Sequence, residues 1–183
     1  MKYLFFIAIL FFNISFSQNQ SSSSYEFLTK GNEALKDNDN VGAHNFFTKA
    51  IEVSPSDNPK LGLLHLIRMV ASLNKKDFFG VLRESKEALN VLMKIREDIG
   101  YGDDVNEELL NDWYEDIANM FIFKAQAITA LENNNLDYDK SEHCTKCDNI
   151  IQAVYYNKNL VEKLSEGNCT QDDIDNWGKI CRN

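Results

Sequence analysis

Apolar residues recur at three- and four-residue intervals from Tyr25 almost to the end of the chain. No stretch alternates apolar with polar residues as a half-buried strand does. Proline occurs only twice, at Pro55 and Pro59, so long runs are free of the residue that most effectively stops a helix. The pattern predicts an all-α domain.

The segment 31–55, GNEALKDNDNVGAHNFFTKAIEVSP, shows how the helices pair. Phe27, Leu28, Gly31, Ala34 and Leu35 make one helical stripe. KDNDN interrupts it, and a second stripe follows with Val41, Ala43, Phe46, Phe47, Ala50 and Ile51, stopped by Pro55. Two short helices joined by a tight polar turn form an αα-hairpin. Gly31 and Ala43 lack bulk and allow close approach, whereas Phe47 and Ala50 make a large-small pair one turn apart.

This spacing resembles the tetratricopeptide repeat, a helix–turn–helix unit of about 34 residues. With Ser24 as first position, Phe27 stands at the family's Trp and Gly31 at its Gly. Ala43 and Ala50 match its Ala pair, Phe47 its aromatic and Pro55 its Pro, while Ala34 replaces the usual Tyr. A second unit is degenerate. KDFFGVLRESKEAL, 76–89, offers Val81 and Ala88 at the two Ala positions, but Ser85 replaces the aromatic and Met93 the Pro. Its first helix, 61–73, is apolar around most of its circumference and is expected to be buried between neighbours.

Gly100 and Gly102 mark a loop, and Asp104 with Glu107 reads as the next helix start. A stripe from Leu109 to Leu131 follows, then the turn ENNNLDYDKSE. One last long helix is expected from Cys147 to Ser165. Thr170 with Asp173 suggests an N-cap for a short terminal helix bearing Ile174 and Trp177. The expected architecture is a stack of about three antiparallel hairpins, near 25–54, 60–98 and 104–166, capped at 170–181. The resemblance implies a right-handed α-solenoid.

Residues 1–17 are set apart. Lys2, the ten-residue apolar run Tyr3 to Phe12 and the small-x-small triplet Ser15-Phe16-Ser17 have the layout of a secretory signal peptide cleaved before Gln18. The run is too short to span a bilayer, which needs about 20 residues. Residues 18–24 read as a flexible tether, leaving 25–183 as the folded domain, exported to the periplasm or secreted. The chain carries a net charge of −9, and losing Lys2 makes it one unit more negative. That balance argues against nucleic acid as a partner.

All four cysteines, Cys144, Cys147, Cys169 and Cys181, lie near the C-terminus. In an exported chain they read first as structural disulfides. A four-thiolate zinc site and a redox dithiol at HCTKC are the alternatives. A continuous helix from Cys147 to Ser165 would span about 27 Å at ~1.5 Å per residue. Cys169 would then be out of reach of Cys144 and Cys147, giving Cys144–Cys147 and Cys169–Cys181.

The residues favour a scaffold that binds a protein or peptide in a concave groove over an enzyme. His44, His65 and His143 are scattered, no Ser/His/Asp set or phosphate loop is apparent, and no cofactor is called for. By the family register, Leu28, Asn32, Leu35, Lys36, Leu66, Val70 and Asn74 face the groove. The variant of this family that grips chaperone C-terminal carboxylates is excluded, because Leu28 and Ile67 stand where it needs Lys and Asn. The second class is a thiol-active or metal-binding exported protein working through the cysteine cluster.

Overall fold

Three of the long helices end in the same way, and that shared exit organises the fold. In the computed structural model, which describes residues 22–58, 60–99 and 105–177, α1 runs Ser22–Lys36 and α2 Asn40–Glu52. They are followed by α3 Leu61–Asn74, α4 Phe78–Ile99 and α5 Glu107–Asn133. After α1, Asn38 takes a left-handed φ of 60°. This lets Asp39 N–H donate to the Ala34 carbonyl and Asn38 N–H to the Leu35 carbonyl. After α3, Lys76 (φ 63°) repeats the arrangement, with Asp77 N–H on Ser72 and Lys76 N–H on Leu73. After α5, Asn135 (φ 54°) repeats it again, with Leu136 N–H on Leu131. Each is a Schellman exit, which satisfies carbonyls the helix would otherwise strand.

At the first two exits the next helix starts at once. The Asp39 carboxylate accepts from Gly42 N–H at 2.8 Å, and that of Asp77 accepts from Gly80 N–H at 2.9 Å. Each aspartate is the N-cap of the incoming helix, covering a donor that has no intrahelical partner. Glycine three residues on lets the carboxylate lie directly over that position, where a Cβ would make it shift. The two turns are therefore one structure written twice, 38 residues apart in chain number.

Counting from the turn places equivalent positions side by side. Gly31 on α1 lies against Phe47 on α2, where a Cβ would come within 2.6 Å of Cδ1 and 2.9 Å of Cζ, and closer to Cε1. The close approach expected at Gly31 is thus made with the Phe47 ring. In the second unit the same positions are Met69, wholly buried, and Ser85, buried with its hydroxyl on the Leu82 carbonyl. The bulk has changed sides. The larger residue of the two therefore sits on the first helix of the second unit and on the second helix of the first.

α3 packs on α2, α4 and α5 and buries residues around most of its circumference, as its apolar composition predicts. One core, with Leu28, Phe47 and Leu64, lies among α1, α2 and α3. A larger one, with Met69, Leu92, Ile117, Phe121 and Ile128, lies among α3, α4, α5 and the later helix α7. Among the described residues the structure is helical and contains no strand.

Three local expectations need correction. Ser22–Ser24, read as tether, form the first turn of α1. Ser24 is buried, donating to the Ala50 carbonyl at 3.1 Å and paired with the Ser54 hydroxyl at 2.7 Å. The cap of α5 is Asn106, whose side chain accepts from Leu109 N–H at 3.1 Å. A short α6, Lys140–His143, falls in the expected turn, and the long helix expected over 147–165 is broken into α7 Lys146–Tyr156, a 3-10 turn Lys158–Leu160 and α8 Glu162–Glu166. Asn157 breaks it by going extended (φ −137°, ψ 99°) and accepting from Asn159 N–H. α9, Gln171–Asn176, does have the Thr170–Asp173 capping box, yet it buries none of its residues fully. The readings of 1–17, 18–21, Gly100, Gly102, Asp104 and Cys181 lie outside the described residues.

Adding a methyl at Gly31 forces it into an enclosed ring, so Gly31→Ala should cost about 1–3 kcal/mol in urea unfolding. Asp39→Ala and Asp77→Ala should each cost about 1 kcal/mol, and by similar amounts.

Candidate functional site

The residues expected to face a groove divide by burial. Leu28 and Leu66 are 5% and 4% exposed and belong to the two cores, so neither is open to a partner. The register places them on the inner side of their helices, where they pack against α2 and α5 neighbours. Asn32 and Lys36 are exposed, and Leu35, Val70 and Asn74 are half-buried. The accessible set is thus one polar or basic stripe on α1 and two residues on α3.

The structure gathers a charged cluster that periodicity did not single out. Glu84 on α4 is 4% exposed and Arg68 on α3 is 9% exposed. The Glu84 carboxylate accepts from the Ser72 hydroxyl at 3.0 Å and meets His44 Nε2 of α2 at 2.9 Å. Its other oxygen lies 3.9 Å from Arg68 Nε, an ion pair beyond hydrogen-bond reach. Arg68 also donates to Glu87 at 2.6 Å and leans toward His65 Nδ1 at 3.5 Å. Three helices are thereby joined through one buried carboxylate. The signal in the sequence was an arginine inside the most apolar helix, LGLLHLIRMVASL.

This cluster is built for registry. Ser72 gives its proton to the Glu84 carboxylate but is fully buried, so its hydroxyl is closed to anything in solvent. His65 is kept neutral. Burial first, and the Arg68 charge second, push its pKa down to about 4, against a smaller opposing pull from Glu87.

The cysteine expectation is overturned. Cys147 is bonded to Cys169, with Cα atoms 5.5 Å apart. The reach argument assumed a straight helix, whereas the break at Asn157 turns the chain back. Asn168 (φ 53°) closes another Schellman exit with Cys169 N–H on the Leu164 carbonyl at 2.9 Å. Gly167 is required there, since a Cβ would lie 2.5 Å from Ile150 Cδ1 and 3.1 Å from Cys169 Sγ. Cys144 is disulfide-bonded as well, so Cys144–Cys147 is also excluded. The adjacent asparagines in YYNKN were the legible sign, because Asn caps and breaks helices. His143, beside Cys144, is partly buried, and its pKa is lowered by that burial and by Lys124.

Other titratable groups are dispersed. Asp116 on α5 is raised to about 7 by burial and by Asp112, with Lys60 opposing. Lys124 is lowered to about 8 by burial. Among the described residues no group of His, Cys, Asp and Glu is arranged to hold a metal ion. A surface depression of about 270 Å³ is lined by Glu132, Asn135, Leu136, Asp137, Tyr138 and Lys140. It falls short of the ~300–1,000 Å³ of ordinary small-molecule sites. No helix among the described residues is long and apolar enough to cross a membrane. No family model matches the chain, and neither the curated proteins nor the solved structures contain a match.

Glu84→Ala should destabilise the fold by about 3 kcal/mol, because it leaves the Arg68 guanidinium buried beside a lost partner. His65 binds a proton below about pH 6.5 when unfolded and only near pH 4 when folded, so it makes stability fall as pH drops through that window. Chemical unfolding from pH 7 to 4 should therefore show a shallower decline for His65→Gln than for the parent. Cys147→Ser/Cys169→Ser should cost about 3 kcal/mol for a loop of this length, with non-reduced peptide mapping of the parent yielding the 147–169 link.

Proposed function

We propose that the protein is an exported scaffold of stacked helical hairpins, resembling the tetratricopeptide repeat, that binds a protein or peptide segment along α1 and α3. The observation that carries this reading is the repeated unit itself. The same exit, cap and glycine recur at Asn38–Asp39–Gly42 and Lys76–Asp77–Gly80. Repeated hairpins laid side by side present their first helices as one continuous surface. Here that surface offers Asn32, Lys36 and Asn74 as hydrogen-bonding groups beside Leu35 and Val70, a mixture suited to an extended or helical peptide. The reading includes a signal peptide at 1–17 and no catalytic role.

The alternative, a thiol-active or metal-binding protein, needs thiolates. Cys147 is 8% exposed and tied to Cys169, and Cys144 is also in a disulfide, so the donors that chemistry requires are engaged. Disulfide usage accords with export.

Photo-crosslinking side chains placed singly at Asn32, Lys36 and Asn74 should each capture the same partner in the native compartment. The control position Lys49, on α2, should not. Equal capture at Lys49, or none at the three test sites, removes the groove. N-terminal sequencing of the recovered protein should begin at Gln18.

A further inference from the structure

Away from α1 and α3, four aromatic rings form an unbroken strip across α5, α7 and the end of α9. Tyr114 lies 6.4 Å from Tyr156, Tyr156 lies 5.2 Å from Tyr155, and Tyr155 lies 5.8 Å from Trp177, between ring centroids. The inner side is rooted in the core. Phe121 stacks on Tyr156 at 6.1 Å, and Trp113 meets it edge-on at 5.6 Å while donating its Nε1–H to the Leu92 carbonyl. The outer side is open, with Tyr155 67% and Tyr114 37% exposed. Rings this exposed contribute little to the core, yet they are held in place by rings that do.

Aromatic faces carry negative potential and attract cations. The buried end already holds one, the Arg96 guanidinium, 5.8 Å from the Trp113 ring. At the open end α9 contributes Asp172, Asp173 and Asp175 and no Lys or Arg, and Glu115 follows Tyr114. Lys146 faces Asp173 and Lys158 lies three residues beyond Tyr155, so the described surroundings are mixed in sign, and in the sequence Lys179 and Arg182 follow Trp177. The chain as a whole carries more acidic than basic groups, with a net charge of −9. We propose that this strip docks the arginine or lysine side chains of a basic peptide segment of a partner protein. Ring faces would take the cations, and the neighbouring carboxylates would draw them in. A single-stranded nucleic acid could stack on such rings but would bring phosphates to a negative surface. This surface is separate from the α1–α3 groove and stands whether or not that groove is used.

The test is fluorescence anisotropy with a labelled peptide of six Arg-Gly-Ser repeats, beside the same peptide with neutral citrulline for arginine. Tyr155→Ala/Trp177→Ala leaves the net charge unchanged, so attraction to a merely acidic surface would survive it. Recognition by the rings predicts roughly tenfold weaker binding for that double variant and about threefold for Tyr155→Ala alone. Tyr155→Phe/Trp177→Phe should stay near the parent. Thermal melting checks the fold of each variant, and Tyr155→Ala supplies the reading if the double variant unfolds. Parent-like affinity in the alanine variants, or equal binding of the citrulline peptide, overturns the proposal.

Discussion

A helix with no side to spare for water has to be enclosed, and α3 is such a helix. Its sequence, LGLLHLIRMVASLN, buries residues around most of its circumference, and α2, α4 and α5 supply the walls. The other main helices have an apolar stripe and a wet face. α3 turns those stripes into two linked cores, one shared with α1 and α2, the other with α4, α5 and α7. Enclosure also explains why the polar groups on α3 turn to protein partners. Ser72 is fully buried and gives its proton to Glu84. Arg68 lies beside the same carboxylate while reaching Glu87, and Glu84 in turn ties His44 of α2 into the cluster. Hydrophobic burial brings the helices together, and the ionic cluster selects one alignment among the many that burial alone would tolerate.

The ends of the helices matter as much as their faces. Short helices gain little stability from length and need their terminal groups satisfied. The left-handed residues Asn38, Lys76 and Asn135 each do this by the same exit, and Asp39 and Asp77 make the next helix begin at once. Where no capping aspartate follows directly, after Asn135, a loop intervenes before α6. There the aspartate that meets the start of α6 is Asp139, whose carboxylate accepts from Glu142 N–H, four residues beyond Asn135.

The C-terminal region follows a different rule. The 3-10 turn, α8 and α9 bury none of their residues fully and rest mainly on α7. Such a segment has little apolar area with which to offset its own ordering. The Cys147–Cys169 bond supplies the missing restraint by shortening the unfolded chain's freedom. It also holds α9 where Trp177 completes the aromatic row on Tyr155.

By itself the sequence determined that the chain is helical, where α1 to α5 lie, that α3 is interior and that Gly31 marks a close approach. These are local matters, because periodicity, caps and missing side chains act within a few turns. Tertiary structure decided what depends on residues far apart. That Leu28 and Leu66 are core and that Arg68 finds Glu84 both require knowing which faces meet. The disulfide pairing turned on a single backbone event, the extended conformation of Asn157. An asparagine weakens a helix by a fraction of the packing energy around it, so its presence signals a possible break, and only the assembled neighbours decide whether the break is taken.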